Sequence, residues 1–226
     1  MEHILHLSKD KKLKKIIELQ QPCVLTKRDK IYLYLCYSIM SQQLSTKVAD
    51  VFHRRFIELY GGQEPSVKQI ASTSFETLRG IGLSNAKANY VLNVCNFFIE
   101  ENITDTKLHK MSNEDVIKSL TRIKGVGQWT VEMVLMFAMG REDVFAVDDL
   151  GIQQAICKLY KVDALDKKAM KEKMLTVSKK WSPYRTYACR YLWGWKDNVI
   201  EGKSKNSKVK IKKEGWILWA VIASVG

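Results

Sequence analysis

Two neighbouring carboxylates, Asp148 and Asp149, stand at the head of a predicted helix, downstream of a Gly125-Val126-Gly127 turn. An aspartate before a helix is ordinarily its N-cap. A carboxylate can also stabilise positive charge developing beside it, and can orient or deprotonate a water. The glycine turn falls between two helical patterns. Ser112, with Asp115 three residues on, is a weak capping box for the first, in which Leu120 and Ile123 are apolar. The second resumes as an apolar helix over residues 128–139. Glycines there allow positive φ and the close approach of another backbone. Such a hairpin is ordinarily just a turn, but it presents backbone N–H groups, partly from a helix start, and these suit a phosphate. Residues 120–156 thus organise the chain: the turn, a short extended piece Val144-Phe145-Ala146-Val147, then the aspartate pair.

The combination is more specific than its parts. Ile123-Lys124-Gly125-Val126-Gly127-Gln128-Trp129-Thr130, followed by Asp143-Val144-Phe145 and then Asp149, resembles the helix–hairpin–helix DNA glycosylases. Within them it is most similar to the DNA-3-methyladenine glycosylase II family, which removes alkylated bases. The resemblance covers about residues 30–200 and is strongest over 120–195. It implies that Asp149 is the catalytic aspartate, with Asp148 capping or beside the base pocket. It implies DNA contacts from Lys124, Gly125, Val126, Gly127 and Thr130, and a monovalent cation (Na+ or K+) on the carbonyls of Thr121, Ile123 and Val126, with no cofactor required for the reaction. The run Ser38-Ile39-Met40-Ser41-Gln42-Gln43 is similar to a family segment in which the glutamines face the DNA and the lesion pocket. The matching pocket aromatics are Trp129 and Trp193, and Met133 stands where the family has a further aromatic. The turn Gly80-Ile81-Gly82-Leu83 echoes the hairpin, and by resemblance one of Leu83, Ser84 and Asn85 plugs the gap left by a flipped nucleotide. Trp181-Ser182-Pro183-Tyr184-Arg185-Thr186-Tyr187-Ala188 also resembles the family. Lyase-competent relatives carry a lysine where this chain has Trp129, so the resemblance implies a monofunctional enzyme. The alternative is a helix–hairpin–helix module that binds DNA without turnover, which needs the hairpin and the charge but neither Asp149 nor the tryptophans.

Composition agrees with a nucleic-acid partner. Lys and Arg number 37 against 24 acidic residues in a chain of 226, a net charge of +13, which is an electrostatic argument for a polyanion and says nothing of fold. Cysteines 23, 36, 95, 157 and 189 form no C-x-x-C pair, which argues against a zinc site, an iron–sulfur cluster and a disulfide framework. No signal-peptide pattern and no bilayer-length apolar run is read. The expectation is an intracellular monomer acting on double-stranded DNA with alkylated bases, with no membrane association.

The remaining elements must position these residues. Residues 8–19 read as one polar helix, 29–40 as a buried apolar helix with a strand as alternative, 48–60 as a helix stopped by Gly61-Gly62. Residues 65–79 read as one or two short helices, 86–101 as a long helix, 107–111 as a link and 167–180 as a basic helix. Aromatics Tyr191, Trp193 and Trp195 crowd the next helix, where most such rings are core. The fold class is all-α, a two-lobed helical bundle of the glycosylase type with the active site in the cleft between lobes. One domain is expected over residues 1–202, with the hairpin at 112–139. Residues 203–226 form a tail: six lysines among serines and asparagine in 203–213, then an apolar end with Trp216 and Trp219.

Overall fold

The computed structural model describes residues 1–200. The expected tail over 203–226 lies outside the described residues. Among them are thirteen α-helices, a π-helical turn, a 3-10 turn and no strand, so the all-α expectation holds. The chain divides into two compact units. Of the described residues, one unit comprises Lys27–Met139 and the other Met1–Thr26 together with residues 140–200. Among the described residues no helix is long and apolar enough to cross a membrane.

The N-terminal segment holds two helices, α1 (Glu2–Leu7), which the sequence reading did not expect, and α2 (Lys11–Ile17), the polar helix expected over 8–19 with its start moved to Lys11. The break follows from Asp10. Its carboxylate accepts the N–H groups of Lys12 and Leu13 and so starts a new helix. Its other oxygen accepts Tyr160 Oη and Trp181 Nε1, which ties the break to residues far along the chain.

The unit Lys27–Met139 is built around α3 (Ile31–Ser41), in which every residue but Tyr32 is buried. This helix has no cap of its own: Lys30 is left-handed at φ 58° and makes no capping bond. Its first N–H groups are taken instead by Asp105, whose carboxylate accepts Lys30 N at 2.6 Å and Ile31 N at 3.1 Å. Satisfying these orphan donors settles the helix over the strand alternative. α4 (Thr46–Glu58), α5 (Val67–Ala71), α6 (Phe75–Gly80) and α7 (Asn85–Glu100) follow, with Ser66, Ser74 and Ser84 as side-chain caps for the last three. α3 packs along α7 through Cys36 on Cys95 (Sγ–Sγ 3.9 Å) and Tyr32 edge-on to Phe98. The segment expected as a link over 107–111 is a helix, α8 (Asp105–Lys110), because Thr104 caps it by accepting Lys107 N. α9 (Asn113–Leu120) and α10 (Gln128–Met133) complete the unit, and the apolar helix expected to run to residue 139 changes to a π-helical turn over Val134–Ala138. The Ala138 carbonyl accepts the Arg28 N–H at 2.8 Å.

His53 of α4 is 3 % exposed, lies 2.9 Å from Ser41 Oγ through Nε2, and tilts against the Tyr37 ring. Burial lowers its pKa below the ordinary 6.5. The unfolded chain therefore takes up a proton that the folded chain refuses, and stability is expected to fall as pH drops below about 6.5, by at most about 1.4 kcal/mol per pH unit. Urea midpoints measured from about pH 7.5 to pH 5.5 check this. The extra acid sensitivity should be absent in His53→Gln.

The second unit adds α11 (Leu150–Tyr160), α12 (Lys167–Ser178), a 3-10 turn Lys179–Trp181 and α13 (Arg185–Ile200) to α1 and α2. α13 packs on α11 and α2, where Tyr191 Oη accepts Cys23 N and the Tyr191 carbonyl accepts Gln20 Nε2. Residues 181–188 act as a clamp. Arg185 makes a two-pronged ion pair with Asp143, at 2.6 and 2.9 Å, and Ser182 donates to the same carboxylate. Burial opposes ionisation of Asp143, yet the hydrogen bonds from Arg185 and Ser182 outweigh it and hold the carboxyl below its ordinary pKa. Thr186, fully buried, accepts Val144 N and donates to the Arg141 carbonyl. These bonds hold the extended piece that leads into Asp149.

Candidate functional site

The hairpin is held from inside by apolar side chains. Val116, Leu120, Ile123 and Val126 are all buried, and Val126 N–H donates to the Ile123 carbonyl at 3.0 Å, closing the turn. Ser112 caps α9 by accepting Asp115 N, and its hydroxyl donates to the Asp115 carboxylate, so the two residues read as a weak box do pair, hydroxyl to carboxylate. Gly125 sits at φ +103°, and a Cβ there would fall 2.2 Å from Tyr90 Cγ. The backbone therefore lies flat on the Tyr90 ring. Gly127 differs: φ is −90°, it is the N-cap of α10, and a Cβ on it would meet nothing within 4 Å. Of the two glycines only Gly125 is required by the fold.

Tyr90 belongs to a stripe on α7 that supports the hairpin and that the sequence did not reveal. Asn93 Nδ2 donates to the Lys124 carbonyl, Arg122 lies over the Phe97 ring, and the same guanidinium pairs with Glu101 just past the helix end at 2.6 Å. Positions 90, 93, 97 and 101 recur at helical spacing, so all four share one face. The signal was available as a periodic stripe but had no partner assigned to it.

On the outside of the turn, Lys124, Gly127 and Gln128 are exposed. The N–H groups of Gln128, Trp129 and Thr130 open the first turn of α10, where no intrahelical acceptor exists. Thr130 is 4 % exposed, so what it can offer a ligand is its backbone and not its hydroxyl. Val126 likewise offers only backbone. The carbonyls of Thr121, Ile123 and Val126 are neutral oxygens on this one tight turn, a donor set that suits an alkali cation better than a divalent one.

The smaller turn repeats the design. Gly82 has φ +104°, and a Cβ there would fall 2.7 Å from Phe52 Cε1. Arg55 Nη1 donates to the Ile81 carbonyl. Leu83 is 1 % exposed, so it anchors the turn and does not plug a helix gap. Exposed Ser84 and Asn85 remain, and Ser84 is occupied as the cap of α7 through Lys87 N. Lys87 Nζ donates to the carbonyls of Met40, at 2.9 Å, and Gln42, at 2.7 Å. It thus joins the start of α7 to the Gln42-Gln43 turn, and desolvation lowers its pKa. Gln42 is half-buried; Gln43 is exposed with φ 60°. Trp129 is half-buried, whereas Met133 has no exposed surface and is core, so it does not line an open pocket. The inward side of α10 takes it.

In the other unit, Asp149 is the N-cap of α11. Its Oδ1 accepts Ile152 N at 2.8 Å and the indole Nε1–H of Trp193 at 2.8 Å. The capping reading thus holds, on the side chain that the resemblance makes the catalytic candidate. The carboxylate is fixed by two donors, and the aromatic matched to the base pocket is one of them. Asp148 is exposed and paired with Lys171 of α12, so its place is a surface ion pair rather than a base pocket. The arrangement can do two things. The hairpin can hold a phosphate by backbone amides, and the Asp149 carboxylate can sit, oriented, beside developing positive charge.

Comparison with known proteins points the same way. A family model described as HhH-GPD superfamily base excision DNA repair protein matches residues 36–181. DNA-3-methyladenine glycosylase 1 of Schizosaccharomyces pombe is 35 % identical over 185 residues, covering 81 % of this chain and 80 % of the relative. The solved structure of the 3-methyladenine DNA glycosylase Mag1 of Schizosaccharomyces pombe in complex with abasic DNA superposes with a TM-score of 0.76 at 31 % identity, covering 91 % of this chain and all of that one. The DNA-3-methyladenine glycosidase of Bacillus halodurans gives 0.77 at 35 %, covering 87 % and 89 %. The matched span takes in the Gln42-Gln43 turn, both glycine turns and Asp149, and over it the chain belongs to the HhH-GPD superfamily of base excision DNA repair proteins.

Proposed function

We propose that this protein is a monofunctional DNA glycosylase that hydrolyses the N-glycosidic bond of alkylated purines such as 3-methyladenine in duplex DNA, acting as a monomer in the first step of base excision repair. The observation that supports it most is the Asp149 carboxylate, fixed by Ile152 N and Trp193 Nε1. The names of the relatives point to the same substrate class.

A stacked base is out of reach, so the nucleotide must be extruded, at a cost of a few kcal/mol that is smaller for damaged pairs. The hairpin around Gly125 and Gly127 holds a phosphate, with Lys124 adding charge. The carbonyls of Thr121, Ile123 and Val126 would hold a monovalent cation that adds positive charge near that phosphate. Ser84 or Asn85 fills the gap in the helix. Trp193, bonded to Asp149, stacks on the alkylated base, whose positive charge gains roughly 0.5–2 kcal/mol from the ring face; Trp129 is the other aromatic that the resemblance assigns to the base. That base is already a good leaving group: the glycosidic bond breaks, its electron pair neutralises the ring, and positive charge develops on the sugar. Asp149 stabilises that charge and takes the proton of the water that adds to C1′. Water attacks because the position at which, by resemblance, lyase-competent relatives carry their lysine is Trp129, which offers no amine.

The test is turnover on methylated duplex DNA. Free 3-methyladenine should appear, nicks should follow only after alkali or heat, and borohydride added during turnover should trap no protein–DNA adduct. A trapped adduct lost on mutating Lys124 would overturn the hydrolytic mechanism. One observation favours a second reading, binding without turnover: the N-cap role of Asp149 accounts for the residue structurally. Tight binding with no base released would establish that reading instead.

Affinity should be strongly salt-dependent and weakly sequence-dependent, given a net charge of +13 and contacts directed at the backbone. Each phosphate neutralised should add about −0.9 to the slope of log affinity against log salt. Removing residues 203–226, with their six lysines in 203–213, should lessen the slope without abolishing excision.

A further inference from the structure

Gly151 is the second residue of α11 and has no role in the reading so far. A Cβ on it would lie 3.0 Å from Trp193 Cδ1, 3.1 Å from Trp193 Nε1 and 3.1 Å from Asp149 Oδ1. These atoms are the donor edge and the acceptor of the Trp193–Asp149 hydrogen bond. Unlike Gly125, Gly151 is helical, and any L residue can adopt its backbone. What calls for glycine here is space. The indole edge occupies the room that a side chain would take over the first turn of α11.

We propose that Gly151 is a positioning residue: by leaving the first turn of α11 bare, it lets Trp193 lie against that turn and donate to Asp149, so that the stacking aromatic and the carboxylate form one rigid piece. The inference rests on the roles proposed above for those two residues. An alanine methyl at 3.0–3.1 Å is tighter than ordinary contact, so a neighbour must retreat by a few tenths of an ångström. Asp149 is held by the Ile152 N–H as part of the helix start, whereas the indole is half-buried and is the partner expected to yield. The displacement therefore falls on the N–H···O bond. Once the indole yields, the helix itself loses nothing, since alanine is the better helix former. A structural glycine and a positioning glycine thus predict opposite outcomes.

The experiment compares wild type with Gly151→Ala and Gly151→Ser, using the proton–nitrogen NMR signal of the Trp193 indole N–H, assigned with Trp193→Phe. Asp149→Asn serves as the reference for a weakened acceptor. Single-turnover excision, affinity for undamaged duplex and melting temperature are read alongside. In Gly151→Ala the indole signal should move upfield, in the direction seen with Asp149→Asn. Excision should slow on the order of tenfold, with affinity unchanged and melting temperature unchanged or raised. Gly151→Ser should move both further. An unmoved indole signal, or a moved signal with wild-type excision, overturns the proposal. A wild type that releases no base would sink the functional reading, and the indole signal alone would then decide whether Gly151 seats Trp193.

Discussion

Asp149→Asn should abolish measurable excision, with a loss on the order of 10³-fold or more in the single-turnover rate, while affinity for undamaged duplex stays near wild type. The substitution removes charge and little else. Asparagine is as good an N-cap as aspartate, and its carbonyl oxygen can still accept Ile152 N and Trp193 Nε1, the two donors seen on Oδ1. The fold and the seat of the indole therefore survive, and the loss isolates the anion beside the cationic sugar. Asp148→Asn provides the contrast. Its partner is Lys171, and both side chains are about half exposed, at 52 % and 43 %. An exposed pair of this kind contributes about 0–1 kcal/mol, so excision should change only a few-fold. Equal losses in the two variants, or an active Asp149→Asn enzyme, would remove Asp149 from the mechanism. Asp149→Ala is a poorer test, because it also deletes the cap, at about 1 kcal/mol.

Gly125→Ala should cost about 3 kcal/mol or more in stability and take DNA binding with it. Two penalties coincide at this residue. The backbone is at φ +103°, where a side chain is strained by about 1–3 kcal/mol. The new methyl would also lie 2.2 Å from Tyr90 Cγ and 2.6 Å from the two Cδ atoms, so the ring must leave its place under the hairpin. Gly127→Ala should behave oppositely. With φ at −90° and open space around the added methyl, stability should stay within about 0.5 kcal/mol. Affinity should still fall on the proposed reading, because a methyl at the N-cap of α10 crowds the first turn that would receive the phosphate. Urea midpoints at constant slope separate the two effects. Tyr90→Ala combined with Gly125→Ala removes the clash but not the strain, so the pair should be less than additive. A Gly125→Ala protein with a wild-type midpoint would show that the turn is looser than drawn.

Most of the helices were legible in the sequence because their determinants are local. Ser66, Ser74, Ser84 and Ser112 mark starts, Gly61-Gly62 marks a stop, and apolar periodicity marks the rest. The glycine turn and Asp149 were legible as a pattern because the spacing of residues 123–149 is matched by a known family. Where sequence reading departed from the structure, the deciding partner lay far along the chain. The helix read over 8–19 starts only after Asp10, which binds Tyr160 and Trp181. α3 is capped by Asp105, from another helix. Burial was equally invisible: Leu83, Thr130 and Met133 sit in matching motifs, but which way a side chain points depends on what packs against the helix. The same holds for the support of the site. Tyr90 under Gly125, Lys87 on the Gln42 carbonyl and Trp193 on Asp149 bring together residues 35, 45 and 44 positions apart. No local preference encodes such contacts; each exists because the packing of two distant elements leaves room for one ring or one ammonium group and a donor or acceptor to meet it.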